Sequence, residues 1–562
     1  MGLVASIAVG IVPAFSAAIE KTSPGTRERA VVMFATEDDL WSRTLFLLTW
    51  AVFNFSFLTL LRRPAMAGVL SLTLIVLLVA CSRLKHDVAQ MTVDFVDLLI
   101  IDRGTVSFLL TIFPALRWVV LAVVLIGGPV AVAVWRLDPF RVRFLVALAG
   151  TLASLAALTG TSLTWPDEPW RAYLDEGYVS KFASSGVVAV SDFLRVGVID
   201  ADAATPDHLN MPLEEACHPT GRRPNIILVH DESSFDIRAA SGIKVPPGYG
   251  EHFRSFDGKQ RSFMVEGNGG PSWYTEYNVL DGLSSRSFGR FSYFITRLAA
   301  RHVERGLPLA LQRCGYHTVS LYPANGSFIG ERDFQTTSGI EDFYDEHALG
   351  AKDIEPDGFF YDKALQQFAT EPKTKPAFVY VYLAANHFPW DHRFRPDLLP
   401  SWKDPGNAPY VDEYLRRQTM SAQYYREFLA QLKKRFPDQA FLIVRYGDHQ
   451  PDFTSYIIEP NLTDAQIEKR MSSYDSRYYA TYYAIDAVNF KPVASPVVMD
   501  KIDGAYLPLV VQETAGLPLD PSFTEQKNIM LRCSGVFYDC GNGSEARRFN
   551  RMLMDAGYIK GL

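Results

Sequence analysis

Long apolar runs fill the chain up to about Leu163, and beyond that point short apolar runs alternate with charged, aromatic and Gly/Pro-rich stretches. Five early runs, Leu3 to Ile19, Leu45 to Leu61, Ala65 to Cys81, Leu116 to Trp135 and Val142 to Leu163, lie near the roughly 17–25 residues a helix needs to cross a bilayer. The first is the weakest, since it is short, contains Pro13 and lacks the basic start of a signal peptide. Arg62 and Arg63 separate the second and third runs, and Arg136, Arg141 and Arg143 separate the fourth and fifth, so the positive-inside rule places both connections in the cytoplasm. The acidic loops with Glu37, Asp38 and Asp39 and with Asp94, Asp97 and Asp102 suit the other side. An odd number of spans then leaves everything after Leu163 outside the cytoplasm.

The later pattern predicts a different architecture. Trp165 to Arg223 mixes aromatic and charged residues in the manner of short amphipathic helices near a bilayer surface. Past Pro224, Ile226 to Val229, His317 to Tyr322, Phe378 to Leu383 and Phe441 to Val444 read as strands, and Val411 to Phe436 reads as a helix before the last of them. Alternating strands and helices imply a mostly parallel sheet covered on both faces, with ligands gathered at the carboxyl ends of the strands. The expected organisation is a transmembrane domain of about five helices over 1–163, an amphipathic juxtamembrane linker over 164–223 and an α/β catalytic domain over 224–562.

Composition narrows this picture. A chain of 562 residues exceeds what one core usually serves. Its formal charge of -7, with no block of Lys and Arg among aromatics, argues against a nucleic-acid partner. Cys81 falls in an apolar run, whereas Cys217, Cys314, Cys533 and Cys540 fall in the outer part, where oxidation is permitted. Cys533 and Cys540 are close enough to close a small loop; spacing alone does not fix the pairing.

Each strand is followed by groups suited to chemistry. The first gives Asp231 and Glu232, the second reaches Asn325 and Arg332, the third leads to Asn386 and His387, and the fourth ends in Asp448 and His449. A carboxylate beside an imidazole at a strand end points to a metal site. Between the first two strands, Gly267-Asn268-Gly269-Gly270-Pro271 leads into Ser272, where glycines let a backbone approach an anion and Pro271 opens a helix running to Leu283. A serine there meets the positive end of the helix dipole, which favours a phosphoryl group and an alkoxide; it equally suits a plain helix cap.

The order of Asn225 to Ser234 with Glu232, then Pro271-Ser272-Trp273-Tyr274-Thr275-Glu276, then His387-Phe388-Pro389, then Gly447-Asp448-His449 resembles the alkaline phosphatase and sulfatase superfamily. Within it the chain is most similar to the membrane phosphoglycerol transferases typified by lipoteichoic-acid synthases, whose five-span membrane domain precedes an external catalytic domain. The resemblance implies one divalent ion, most often Mn2+, with Zn2+ or Mg2+ as alternatives, held by Glu232, Ser272, Asp448 and His449. It implies Ser272 as the nucleophile, His387 beside the transferred group, and Arg332 on the head-group phosphate. It also implies a bacterial cytoplasmic-membrane protein with its catalytic domain on the periplasmic or extracellular side. The reaction would move a phosphoglycerol head group from a membrane phospholipid to a glycan or glycolipid acceptor.

Several alternatives stand beside that reading. The family nucleophile is usually threonine, which makes Thr275 a rival, although Glu276 stands four positions after Ser272 as the family pattern requires. Asp231 rivals Glu232 as ligand. Phosphoethanolamine is the other head group, and a two-metal phosphatase could recruit His230, Asp391, His392 and Asp452. Sulfate-ester cleavage is set aside because Cys217-His218-Pro219-Thr220-Gly221 lacks the arginine of a formylglycine motif.

Overall fold

The computed structural model describes residues 40–89, 92–99, 117–118, 121, 123–164, 177–203, 217, 221, 223–370 and 375–561. Contacts divide the chain into two units, residues 1–195 and 196–562.

Among the described residues of the first unit, three helices are long and apolar enough to cross a membrane: α1 Leu40–Leu61, α2 Pro64–Ala89, whose candidate span is Pro64–His86, and, after the short helix α3 Gly128–Leu137, α4 Phe144–Thr164. The expected span Leu3 to Ile19 lies outside the described residues, and Leu116 to Trp135 is described only in part, its apolar helix covering Leu125–Leu137. Hydroxyls inside these helices are satisfied by their own backbone, as where Thr49 donates to Leu45 O at 2.7 Å and Thr59 to Phe55 O at 2.8 Å. Gly150 lets α4 approach α1, because a Cβ there would come within 2.5 Å of the Phe55 ring. Buried Asp138 takes over the cap of α2, its Oδ2 accepting from Ala65 N at 2.8 Å and Met66 N at 3.2 Å.

Of the amphipathic stretch 164–223, the described helix α5 Tyr178–Arg195 packs Tyr178, Val179 and Phe182 against Ile75, Leu78 and Val79 of α2. It therefore belongs to the first unit.

The second unit is built on an eight-stranded sheet of β1 Asn225–Asp231, β2 Arg261–Met264, β3 His317–Leu321, β4 Asp342–Tyr344, β5 Ala377–Tyr382, β6 Phe441–Gly447, β7 Ala480–Val488 and β8 Lys501–Asp503, in the order β4-β3-β5-β1-β6-β7-β2-β8. The five strands from β4 to β6 are parallel, as the alternating pattern predicts. The sequence did not reveal β7, which runs antiparallel to both β6 and β2. β5 and β6 are buried along their whole length, and β1 beyond Asn225, because helices cover both faces; this is why they read as continuous apolar runs. Ile227, Val229, Val379, Val381 and Ile443 share a core with Phe360, Phe368 and Phe428 of the overlying helices, each fully buried side chain contributing about 1.5–3 kcal/mol.

Two further helices matter for the site, α6 Ser272–Asp281 and α7 Pro409–Arg435. α6 stops two residues short of Leu283 because Gly282 turns left-handed (φ 69°) and its N–H caps Asn278 O. Disulfides join Cys217 to Cys314 and Cys533 to Cys540, resolving the open pairing.

Candidate active site

Register brings the acidic groups together. β1 and β6 are paired so that Asp231 lies opposite Gly447, and the residues that follow, Glu232 and Asp448, leave neighbouring strands at the same carboxyl edge. α6 delivers Ser272 from above that edge, its Oγ lying 3.3 Å from Glu232 Oε2 and 3.1 Å from His449 Nε2. His449 Nε2 is in turn 3.5 Å from Glu232 Oε1 and 3.3 Å from Asp448 Oδ2. All four side chains are buried.

The surroundings aim these atoms inward. His449 Nδ1 is 2.9 Å from Gln450 O, and a carbonyl only accepts, so Nδ1 carries the proton and Nε2 keeps its lone pair for the cluster. Asp448 Oδ1 accepts from Ser233 N at 2.7 Å and His449 N at 2.8 Å, which leaves Oδ2 facing inward. Ser233 Oγ donates to Glu232 Oε1 at 2.8 Å. Burial pushes the Glu232 carboxyl up, and the Asp448 charge adds to it. Burial opposes ionisation of Asp448 as well, but His449 and His230 carry it well below the ordinary carboxylate range. His449 is lifted by Asp448 and Glu232 against the desolvation that would lower it.

This arrangement fits a divalent cation. Corners about 2.0–2.2 Å from a central ion are separated by roughly 3.3–3.6 Å in a tetrahedron; His449 Nε2 lies 3.1 Å from Ser272 Oγ and 3.3 Å from Asp448 Oδ2, and each of the two Glu232 oxygens lies within 3.5 Å of one donor of the cluster. Two carboxylates, an imidazole and a hydroxyl form an oxygen–nitrogen donor set suited to Mn2+, Zn2+ or Mg2+. His230 Nε2 and Asp448 Oδ2 are 3.1 Å apart and Asp448 Oδ2 also faces His449 Nε2, yet among the described residues neither His230 Nε2 nor Asp448 Oδ2 makes a hydrogen bond. A carboxylate oxygen left without a hydrogen bond in a dry interior costs about 1–3 kcal/mol or more, which a bound cation would offset. His230, Glu232 and Asp448 each offer a ligand atom within 4.8 Å of the others, so His230 borders the same site. The signal for it was its position near the end of β1, two residues before Glu232, which opens the turn after the strand. Its Nδ1 is held by the hydroxyls of Tyr380 at 3.0 Å and Tyr446 at 2.9 Å.

Glycines make the convergence possible. A Cβ on Gly447 would collide with the Ser234 carbonyl oxygen, and one on Gly269 (φ 69°) would press on Asp452, where Gly269 N donates to Gln450 O at 3.0 Å. Gly447→Ala is expected to push β6 off the Ser234 turn, destabilising the second unit by about 2 kcal/mol or more. Thermal unfolding of the full-length protein would read this, and an unchanged midpoint would contradict the packing described.

The remaining expected residues divide. His387 acts electrostatically on Glu232 and bonds through Nδ1 to Phe388 O at 2.8 Å, leaving Nε2 available. Arg332 lies outside the cluster, paired with Asp345 at 2.5 Å and donating to Phe343 O at 3.2 Å. Thr275 donates its hydroxyl to Asp448 O at 2.6 Å, so it props the backbone just past β6. Asp231 points to His252, 2.9 Å away, on the other face of the sheet. Asp391 and His392 form an exposed pair with each other at 2.8 Å.

Residues 275–484 match the Sulfatase family model, which bears out the expected resemblance to the alkaline phosphatase and sulfatase superfamily. The capsular polysaccharide biosynthesis protein RkpI of Rhizobium meliloti (strain 1021) is 26% identical over 243 residues, 42% of this chain and 42% of that protein. The chain thus spans less than half the length of this curated relative. Among solved structures, the phosphoglycerol transferase GacH of Streptococcus pyogenes, in complex with sn-glycerol-1-phosphate, is 16% identical with a TM-score of 0.46, over 60% of this chain and 85% of that one. The lipoteichoic acid synthase LtaP of Listeria monocytogenes is 17% identical with a TM-score of 0.40, over 52% and 72%. The phosphoethanolamine transferase EptA of Neisseria meningitidis is 14% identical with a TM-score of 0.39, over 72% and 82%.

Proposed function

We propose that this chain, whose residues 275–484 match the sulfatase family, transfers a phosphoglycerol head group from a membrane phospholipid to a glycan or glycolipid acceptor through a phospho-serine intermediate. The observation that carries the reading is the gathering of Ser272 Oγ with Glu232, Asp448 and His449 at one strand edge. A divalent cation held there, Mn2+ by the family resemblance, would supply the Lewis acidity that lowers the pKa of a hydroxyl and polarises a phosphoryl oxygen.

Ser272 Oγ attacks phosphorus as the alkoxide, its proton having passed to solvent before the cycle, and forms a phosphoserine ester as the bond to diacylglycerol breaks; the second half-reaction releases the same alkoxide. His387 Nε2 gives its proton to the leaving oxygen; in the second half-reaction the same nitrogen takes the proton of the acceptor hydroxyl, which displaces Ser272. Protons and bonds balance over the cycle. Arg332, oriented by Asp345, offers its forked donors to the head-group phosphate. The name of the curated relative, which places it in capsular polysaccharide synthesis, supports an envelope glycan as acceptor. The apolar helices α1, α2 and α4 support a lipid donor reached from a membrane-embedded chain, and the arginines between the apolar runs support a catalytic unit outside the cytoplasm.

The test is to supply membranes with phosphatidylglycerol or phosphatidylethanolamine labelled in the head group. Label from phosphatidylglycerol should pass to a glycan or glycolipid; label only from phosphatidylethanolamine would replace the head-group assignment.

Metal uptake should strengthen as pH rises. Glu232 and His449 both hold protons above their ordinary ranges, and both must shed them to bind a cation. Protons therefore compete in acid, and the affinity levels off only above the ordinary histidine value of about 6.5. Calorimetric titration with Mn2+ across that range reads the slope, and a flat profile would contradict it.

A further inference from the structure

We propose that Arg417 is a positioning residue for His387, clamping the His387 loop from α7. The inference rests on the reading of His387 as the proton donor above. Arg417 is buried, and its guanidinium spreads over three carbonyls of one loop: Nη1 donates to His387 O at 2.7 Å, and Nη2 to Pro389 O at 2.8 Å and His392 O at 3.4 Å. Its Nε donates to Glu413 Oε1 at 2.9 Å.

Glu413 completes the clamp. Its carboxylate also accepts from Phe394 N at 2.9 Å, from Arg416 Nε at 3.0 Å and from Arg393 Nη1 at 3.1 Å. Burial would raise this carboxyl, but the Arg416 and Arg417 bonds hold it below its ordinary range. A buried arginine normally seeks a carboxylate; here Arg417 shares one carboxylate with Arg393 and Arg416 while its fork is spent on backbone oxygens that carry no charge. That use of a planar, five-donor group fixes a loop rather than an ion pair.

The same face of α7 grips the other half of the site. Tyr414 and Gln418, three before and one after Arg417, hold the turn that follows Glu232: Tyr414 Oη donates to Ser233 O at 2.9 Å, and Gln418 Nε2 to Ser234 Oγ at 2.8 Å. Asn386 Nδ2 adds a bond from the His387 loop to Ser233 O at 3.3 Å. One helix face therefore sets the spacing between the Glu232 turn and the His387 backbone. With His387 Nδ1 bonded to Phe388 O, the position of Nε2 follows from where Arg417 holds the carbonyls. A displacement of about 1 Å in such a group costs on the order of a hundredfold in rate.

The test compares full-length wild type, Arg417→Gln, His387→Ala and the double variant in vesicles of phosphatidylglycerol, reading diacylglycerol release, Mn2+ affinity and amide exchange. Arg417→Gln should lower kcat on the order of a hundredfold with Mn2+ affinity unchanged, and should raise exchange at the backbone amides of 387–394 while leaving β1 and β6 protected. In the His387→Ala background the same change should cost less than about twofold, since the two residues act as one unit. Equal losses in both backgrounds, or a fall in Mn2+ affinity, would overturn the clamp in favour of a general structural role; so would unchanged exchange in 387–394. Should Arg417→Gln fail to fold, Arg417→Lys keeps the charge against Glu413, loses the fork and carries the same comparisons. A wild type that releases no diacylglycerol while the variant still loosens 387–394 would sink the donor assignment and leave the clamp standing.

Discussion

Ser272→Ala is expected to reduce diacylglycerol release from phosphatidylglycerol by roughly 10⁴-fold or more, because the covalent half-reaction loses its attacking atom. Among the described residues, Ser272 Oγ is the one hydroxyl bonded both to Glu232 Oε2 and to His449 Nε2. Thr275 cannot take over without breaking the bond from its Oγ1 to Asp448 O, and its side chain is wholly buried. The cation should still bind the variant through Glu232, Asp448 and His449, so calorimetry and activity should part company. Full activity in Ser272→Ala would move the nucleophile elsewhere and end the phospho-serine reading.

Asp448→Asn should have the second large effect, on the cation itself. Asp448 joins two tasks: Oδ1 takes the Ser233 and His449 N–H groups, and Oδ2 faces His449 Nε2 and His230 Nε2. An amide placed there either turns its NH2 onto two N–H donors or presents it to the cation, and it removes a full negative charge in either pose. Losing one partner of a buried charged set costs about 3–5 kcal/mol, equivalent to a fall in Mn2+ affinity of roughly 10²–10⁴-fold. Titration calorimetry checks this, and wild-type affinity in Asp448→Asn would place the cation elsewhere.

Much of this was legible along the chain because the signals were local. β1, β5 and β6 announce themselves as unbroken apolar runs since helices bury both their faces. Ser272 stands where Pro271 and the glycines before it force a helix start, and α6 does begin there. What stayed hidden depends on register and on distant partners. Nothing in the sequence says that Asp231 pairs with Gly447, the pairing that makes Glu232 and Asp448 neighbours. β7 was missed because its tyrosine-rich Ala480–Val488 lacks a compact apolar run, although its rings are buried against β6. His230 looked like a spare ligand for a second ion, yet its position near the end of β1 puts it at the rim of the first. Arg417 carried no signal at all, since an arginine on a helix ordinarily reads as a solvated charge.

The most direct measurement is to quench the full-length protein in acid during turnover of head-group-labelled phosphatidylglycerol with Mn2+, and to locate the adduct by peptide mass spectrometry. A glycerophosphoryl group on Ser272, absent after chelation and absent in Asp448→Asn, is the expected result. Turnover that continues without divalent cations, or an adduct on any other residue, would contradict it.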